Sequence, residues 1–152
     1  MPNYTSAILV AVLTLTGGAL AHATLGGNLE SIETDNAQMK AKGARVSANA
    51  AYTVYEATLP GGTLIRQYVS IGGTVFAVAW SGAFKPDLRQ LLGAHFDTMV
   101  ARQAQIAHAG QARSLIKESD LVIESGGRMR DYFGRAYLPL EVPVGVSSQE
   151  IQ

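Results

Sequence analysis

The chain has 152 residues, twelve Lys and Arg against twelve Asp and Glu, and no cysteine. A domain of this length buries roughly two thirds of its unfolded surface, so its core needs no covalent staple. Balanced charge argues against a general nucleic-acid binder and a polybasic membrane-surface segment. Absent cysteine removes disulfides, thiolate catalysis, Cys-ligated zinc and lipoprotein-type acylation.

The first segment, TSAILVAVLTLTGGALAHATLGG, is apolar from Ala7 to Ala21, is broken by Gly17 and Gly18, and ends in Ala21-His22-Ala23. A spanning helix wants about twenty unbroken apolar residues. A secretory leader wants about seven to fifteen, then small-x-small residues at the cut. The stretch predicts a signal peptide over residues 1–23 and a mature single domain over 24–152, with no stable membrane insertion after cleavage. Its departure from the pattern is MPNYTS, which has no Lys or Arg.

Residues 29–42 predict a first helix, with Glu30, Glu33 and Asp35 early, Lys40 and Lys42 late, and Gly43 as the residue beyond its end. AYTVYEATL (51–59) and TLIRQYVS (63–70) flank Pro60-Gly61-Gly62 and predict a hairpin; TVFAVAW (74–80) follows Gly72-Gly73. In that third strand simple alternation puts Phe76, Val78 and Trp80 on one face and Val75, Ala77 and Ala79 on the other, where small residues would admit a helix. Asp87 and Gln90 have the form of a capping box behind Pro86. Leu88, Leu91, Leu92, Met99 and Ile106 keep helical spacing, which predicts one helix of about 33 Å ending at Gly110. SDLVIES (119–125) and RMRDYFGRAYL (128–138) predict two strands joined across Gly126-Gly127, and Pro139 and Pro143 put the tail in an edge or loop. The expected fold is α+β, a mostly antiparallel five-stranded sheet with one long helix on a face and a shorter N-terminal helix.

The exported start ending ATLGG, then GGTLIRQYVS, GGTVFAVAWSG, PDLRQLLG, DLVIESGGRMRDYFGRAYLP and GVSSQEI, resemble a proteobacterial family of exported proteins, domain of unknown function 2844. The resemblance covers essentially the whole mature chain. It implies export and a single domain, and carries no activity, cofactor or catalytic residue onto this sequence.

Candidate ligand-binding residues fall in two places. Trp80 lies one short loop from a helix start, with Lys85 and Arg89 near enough to add positive charge; such a mouth suits stacking on a sugar or capping an apolar ligand. Arg128, Arg130 and Tyr132 would share a strand face able to meet an anionic glycan or lipid headgroup, with Arg135 pointing the other way. The plainer readings are that Trp80 fills the core, that Asp87 only caps, and that the arginines pair with Asp131 and Glu124. His95 sits on the long helix's apolar stripe, more in keeping with a core residue than a base; His108 lies thirteen residues on and cannot share a metal with it along a straight helix. Ser114-Leu115-Ile116-Lys117 has the S-x-x-K form of penicillin-recognising serine enzymes without their other elements. No phosphate loop, dinucleotide fingerprint, zinc-protease motif or EF-hand is present, and no cofactor or metal site is expected. The leading expectation is a non-enzymatic periplasmic binding protein of the cell envelope whose partner is a glycan, lipid or protein, and not nucleic acid. Alternatives are a small hydrolase or isomerase using Asp87, His95 or the arginines, and an assembly factor that pairs through an exposed edge strand.

Overall fold

The computed structural model describes residues 24–106 and 113–152. The signal-peptide expectation, Gly110 and His108 lie outside them. The elements in chain order are α1 (Leu29–Gln38), β1 (Lys42–Ala48), β2 (Tyr52–Thr58), β3 (Leu64–Ser70), β4 (Val75–Gly82), α2 (Leu88–Leu92), α3 (His95–Ile106), β5 (Arg113–Lys117), β6 (Val122–Arg128) and β7 (Asp131–Tyr137), then a 3₁₀ turn at Ser148–Glu150. All seven strands join one antiparallel sheet in the order β1-β2-β3-β4-β7-β6-β5.

This corrects the expected five-stranded sheet with one long helix. The long helix is two pieces, because the chain turns at Gly93, whose φ of 49° and ψ of −119° end α2. The leucine spacing runs on across that break, so periodicity alone does not reveal it. The two extra strands are the edges. β1 is exposed along its length and is held by its ladder to β2 rather than by apolar burial. The helix expected to reach Lys42 instead stops at Gln38; Lys40 takes the left-handed turn at φ 54°, and Gly43 belongs to β1. At the other edge, Ser114 and Lys117 lie in β5, so the S-x-x-K spacing places them on opposite faces of a strand instead of adjacent helix turns.

The central strand β4 has both faces buried, and a bulge decides which residue looks where. Tyr68 pairs with Ala77 but Val69 pairs with Val75, leaving Phe76 as the extra residue. Val75, Val78 and Trp80 therefore share one core with Leu25, Ile32, Leu92 and Met99. Phe76, Ala77 and Ala79 share the other with Tyr68 and Ile151. Simple alternation put Phe76 with Trp80 and put the helix over the alanines; both assignments are reversed.

Helices cover the Trp80 face, and the C-terminal tail covers the alanine face. Across that second face Glu56, Arg66, Ala79, Arg135 and Glu124 form one row on five adjacent strands. Arg66 is held by Glu56 at 2.8 Å and reaches the Gln152 carbonyl, also at 2.8 Å. Arg135 is held by Glu124 at 2.8 Å and donates to the carbonyls of Ser148 at 2.6 Å and Ile151 at 3.1 Å. The two arginines thus clamp the tail so that Ile151, wholly buried, packs against the central alanines. Tyr52, Tyr68 and Phe76 continue that core, with ring centroids 5.8–6.2 Å apart in tilted and edge-on pairs.

On the other face the Trp80 indole lies across Gly134, its cross-strand partner on β7. A Cβ at Gly134 would overlap the ring. Gly134→Ala should therefore cost about 1–3 kcal/mol through overpacking. Urea unfolding followed by Trp80 emission checks this, and a native spectrum displaced relative to wild type is expected along with the lower midpoint.

Candidate functional site

Two hollows border Trp80, one on each side of the sheet. The helix-side cleft, about 190 Å³, is lined by Trp80, Lys85, Leu88 and Met99, by Gln103, and by Ser114, Ser125 and Tyr132 from the β5–β6–β7 end of the sheet. The tail-side hollow, about 350 Å³, lies among Arg66, Ser81, Phe133, Arg135 and Ile151. Its two arginines already hold the glutamates and tail carbonyls just described, which leaves their guanidinium groups committed to structure.

The helix-side cleft is built from the sheet upward. Cross-strand pairing of Ser114 with Ser125, and of Ser125 with Gly134, puts both serines on the face that carries Trp80. The Ser114 hydroxyl is buried and has no hydrogen-bond partner among the described residues. Tyr132 stands opposite Gly127 on β6 and Gly82 on β4. Lys85, from the loop between β4 and α2, places its ammonium over the Tyr132 ring, 5.3 Å from the centroid. That ammonium is in no ion pair among the described residues. The loop is fixed at both ends: the Thr63 hydroxyl donates to the Phe84 carbonyl at 2.6 Å, and Asp87 caps α2 by accepting from the Gln90 N–H at 3.1 Å. The cleft thus combines one cation, hydroxyl groups and an aromatic edge.

Of the residues singled out in the sequence, Trp80, Lys85 and Tyr132 come together here. Trp80 is 4% exposed, so it is first a core residue and offers the cleft only part of its ring. Arg89 points elsewhere, stacking on Phe96 at 4.3 Å and meeting Asp97 at 3.6 Å. Arg128 and Arg130 do not share a strand face with Tyr132. The β6–β7 hairpin turns at Met129-Arg130, where Arg128 pairs with Asp131 and Arg130 is left-handed at φ 65°. Gly126-Gly127, expected to be that turn, lies inside β6. His95 opens α3 half-buried beside Gly26, away from any stripe on a long helix. Ser114 entered the sequence reading only through a motif it does not form; its unsatisfied hydroxyl is visible only once β5 is paired.

The large ionisation shift lies outside the cleft. Asp35 of α1 is fully buried, and loss of solvent pushes its pKa from 3.8 to about 6 against the opposing hydrogen bonds from Gln90 and the Thr24 backbone. Gln90 donates its side-chain amide to Asp35, so the expected capping box is only half formed: Asp87 caps, and Gln90 reaches inward. Among the described residues no three of His, Asp and Glu stand close enough to share a metal ion. No described helix is long and apolar enough to cross a membrane.

A family model described as a protein of unknown function, DUF2844, matches residues 21–151. The chain belongs to this family. The match spans every described element from the Thr24 segment to Ile151, so the DUF2844 region includes both the sheet and the tail clamped across it. No curated protein and no solved structure matches the chain.

An unpartnered buried hydroxyl costs stability that an alanine does not. Ser114→Ala should leave the unfolding free energy unchanged or raise it by up to about 1 kcal/mol, measured by urea denaturation. A loss larger than that would mean the hydroxyl is bonded in solution.

Proposed function

We propose that this chain is an exported protein of the cell envelope, periplasmic in a cell with two membranes, that binds a small acidic sugar in the Trp80–Lys85–Tyr132 cleft without chemically changing it. The supporting observation is the Ser114 hydroxyl, buried without a partner among the described residues, in a cleft whose rim carries a cation that none of those residues' carboxylates pairs. Once its side chain turns into the cleft, the Ser114 hydroxyl bonds a ligand hydroxyl; a ligand carboxylate faces Lys85, and the sugar's apolar face meets Tyr132. The volume of about 190 Å³ favours one sugar unit over a fatty-acyl chain, being smaller than the roughly 300–1,000 Å³ usual for drug-sized ligands. The acid with the large shift, Asp35, lies in the protein core instead of this cleft, which favours binding over acid–base catalysis. Export rests on the leader-like start and its Ala21-His22-Ala23 site.

A second reading has its own support. β1 leaves one edge of the sheet exposed over seven residues, with Val46 at 57%. An assembly role would use that edge for strand pairing, and concentration-dependent self-association abolished by Val46→Pro would favour it over the cleft.

Trp80 is the single tryptophan, so its emission reports on the cleft without interference. Titration with glucuronic and muramic acids should give a saturable change and a raised melting temperature. Lys85→Met should weaken that binding by about tenfold or more, the loss of one charge-assisted contact. Unchanged emission and melting temperature with every acidic sugar, from a folded protein, would remove the cleft reading.

A further inference from the structure

Thr24, the residue that follows the Ala21-His22-Ala23 motif, is wholly buried. The segment it begins is tied into the fold: Leu25 donates to the Leu91 carbonyl at 3.1 Å, Gly26 to the Val75 carbonyl at 2.8 Å, and Val75 back to Gly27 at 2.9 Å. The Thr24 hydroxyl accepts from the Gln67 side-chain amide at 3.3 Å, and Gln90, beside the Leu91 that receives Leu25, donates its side-chain amide to the buried Asp35 carboxyl. Gln67 is also wholly buried. Asp35 Oδ2 and Gln67 Oε1 have no hydrogen-bond partner among the described residues.

Among the described residues no cation is paired with this cluster. Asp35 is in no ion pair among the described residues, and the neighbouring charge that acts on it is Asp87, of like sign. A buried carboxylate without a cation is costly, and such groups are ordinarily paired or neutralised. One cation can arise from the chain itself. If the Ala23–Thr24 peptide bond is hydrolysed, water supplies the hydroxyl of a new Ala23 carboxylate on the released segment. The nitrogen left on Thr24 takes up protons to become an ammonium. It offers three donors where the amide offered one, in a cluster whose Asp35 Oδ2 and Gln67 Oε1 have no partner among the described residues.

We infer that cleavage between Ala23 and Thr24 completes the fold, the new Thr24 α-ammonium docking against Asp35 as a buried ion pair. The inference rests on the export reading, but not on any ligand in the Trp80 cleft. The leader then does more than address the chain. Its removal converts Asp35 from a destabilising group into a stabilising one, so the uncut precursor is the less stable form.

The test uses the full chain with its own leader, expressed in a Gram-negative host. Intact mass and N-terminal sequencing of the envelope form should give Thr24 as the first residue. Asp35→Asn is then compared in that cut form and in a form kept uncut by Ala21→Leu and Ala23→Leu. In the cut form the substitution breaks an ion pair and should lower the melting temperature by about 5 °C or more. In the uncut form it removes an unpaired buried charge and should leave the temperature unchanged or higher. The same sign in both forms overturns the inference. If the cut Asp35→Asn protein does not fold, acylation of the Thr24 amine in the wild type decides. It should be at least about tenfold slower in the native protein than after unfolding, and equal rates overturn the docking. Cleavage at another bond, with the protein still in the envelope, overturns the docking and leaves export standing. No cleavage and retention in the cytoplasm overturn both.

Discussion

The extra residue at Phe76 sets the arrangement of everything around it. β4 is the middle strand of seven and is buried on both sides, so each of its side chains must be received by one of two different coverings. The bulge puts Phe76 and Ala77 consecutively on the tail side and Val75, Val78 and Trp80 on the helix side. Without it, a strict two-residue repeat would turn Phe76 into the helices and every residue on one side of it to the wrong face.

The two coverings work by different physics. On the helix side large apolar groups interlock, and the flat contact of Trp80 on Gly134 leaves room beside it that becomes the cleft. On the tail side the sheet offers small alanines, and what holds the tail is polar: two arginines, each braced by a glutamate on the next strand out. Bracing matters because a guanidinium fixed by a carboxylate donates its remaining N–H groups in a set direction. The tail has little regular structure of its own, so its carbonyls depend on those donors and on Tyr68, which meets Gln152 at 3.0 Å.

Much of the centre was legible in the sequence. The Leu59–Thr63 hairpin, the reversal at Gly72-Gly73 and the Asp87 cap follow from local chemistry, because turns and caps are decided by a few adjacent residues. Trp80, Lys85 and Tyr132 were legible as candidates because unusual side chains near a loop stand out. The edges were not. β1 lacks an apolar face, and β5 is five residues long with Ile116 as its one buried side chain; both exist because a neighbouring strand offers unpaired backbone groups. Arg128 and Arg130 were misplaced for a related reason, since Gly126-Gly127 is the stronger turn signal and only pairing with β7 shows that the reversal comes later. The roles of Asp35 and Ser114 could not be read at all. An acidic residue early in a helix reads as ordinary dipole complementarity, and an isolated serine carries no signal until its surroundings are known.

The clamped tail has a consequence for the order of events in synthesis. β4 finds its second neighbour only when β7 has been made, and the alanine face is dry only once Ile151 has arrived. A growing chain therefore has no complete domain to form until nearly every described residue is available. Until then β4 lacks one sheet neighbour and the covering of its alanine face. A chain that completes its fold this late can still be threaded when its synthesis is almost over, which is what the export proposed above would require.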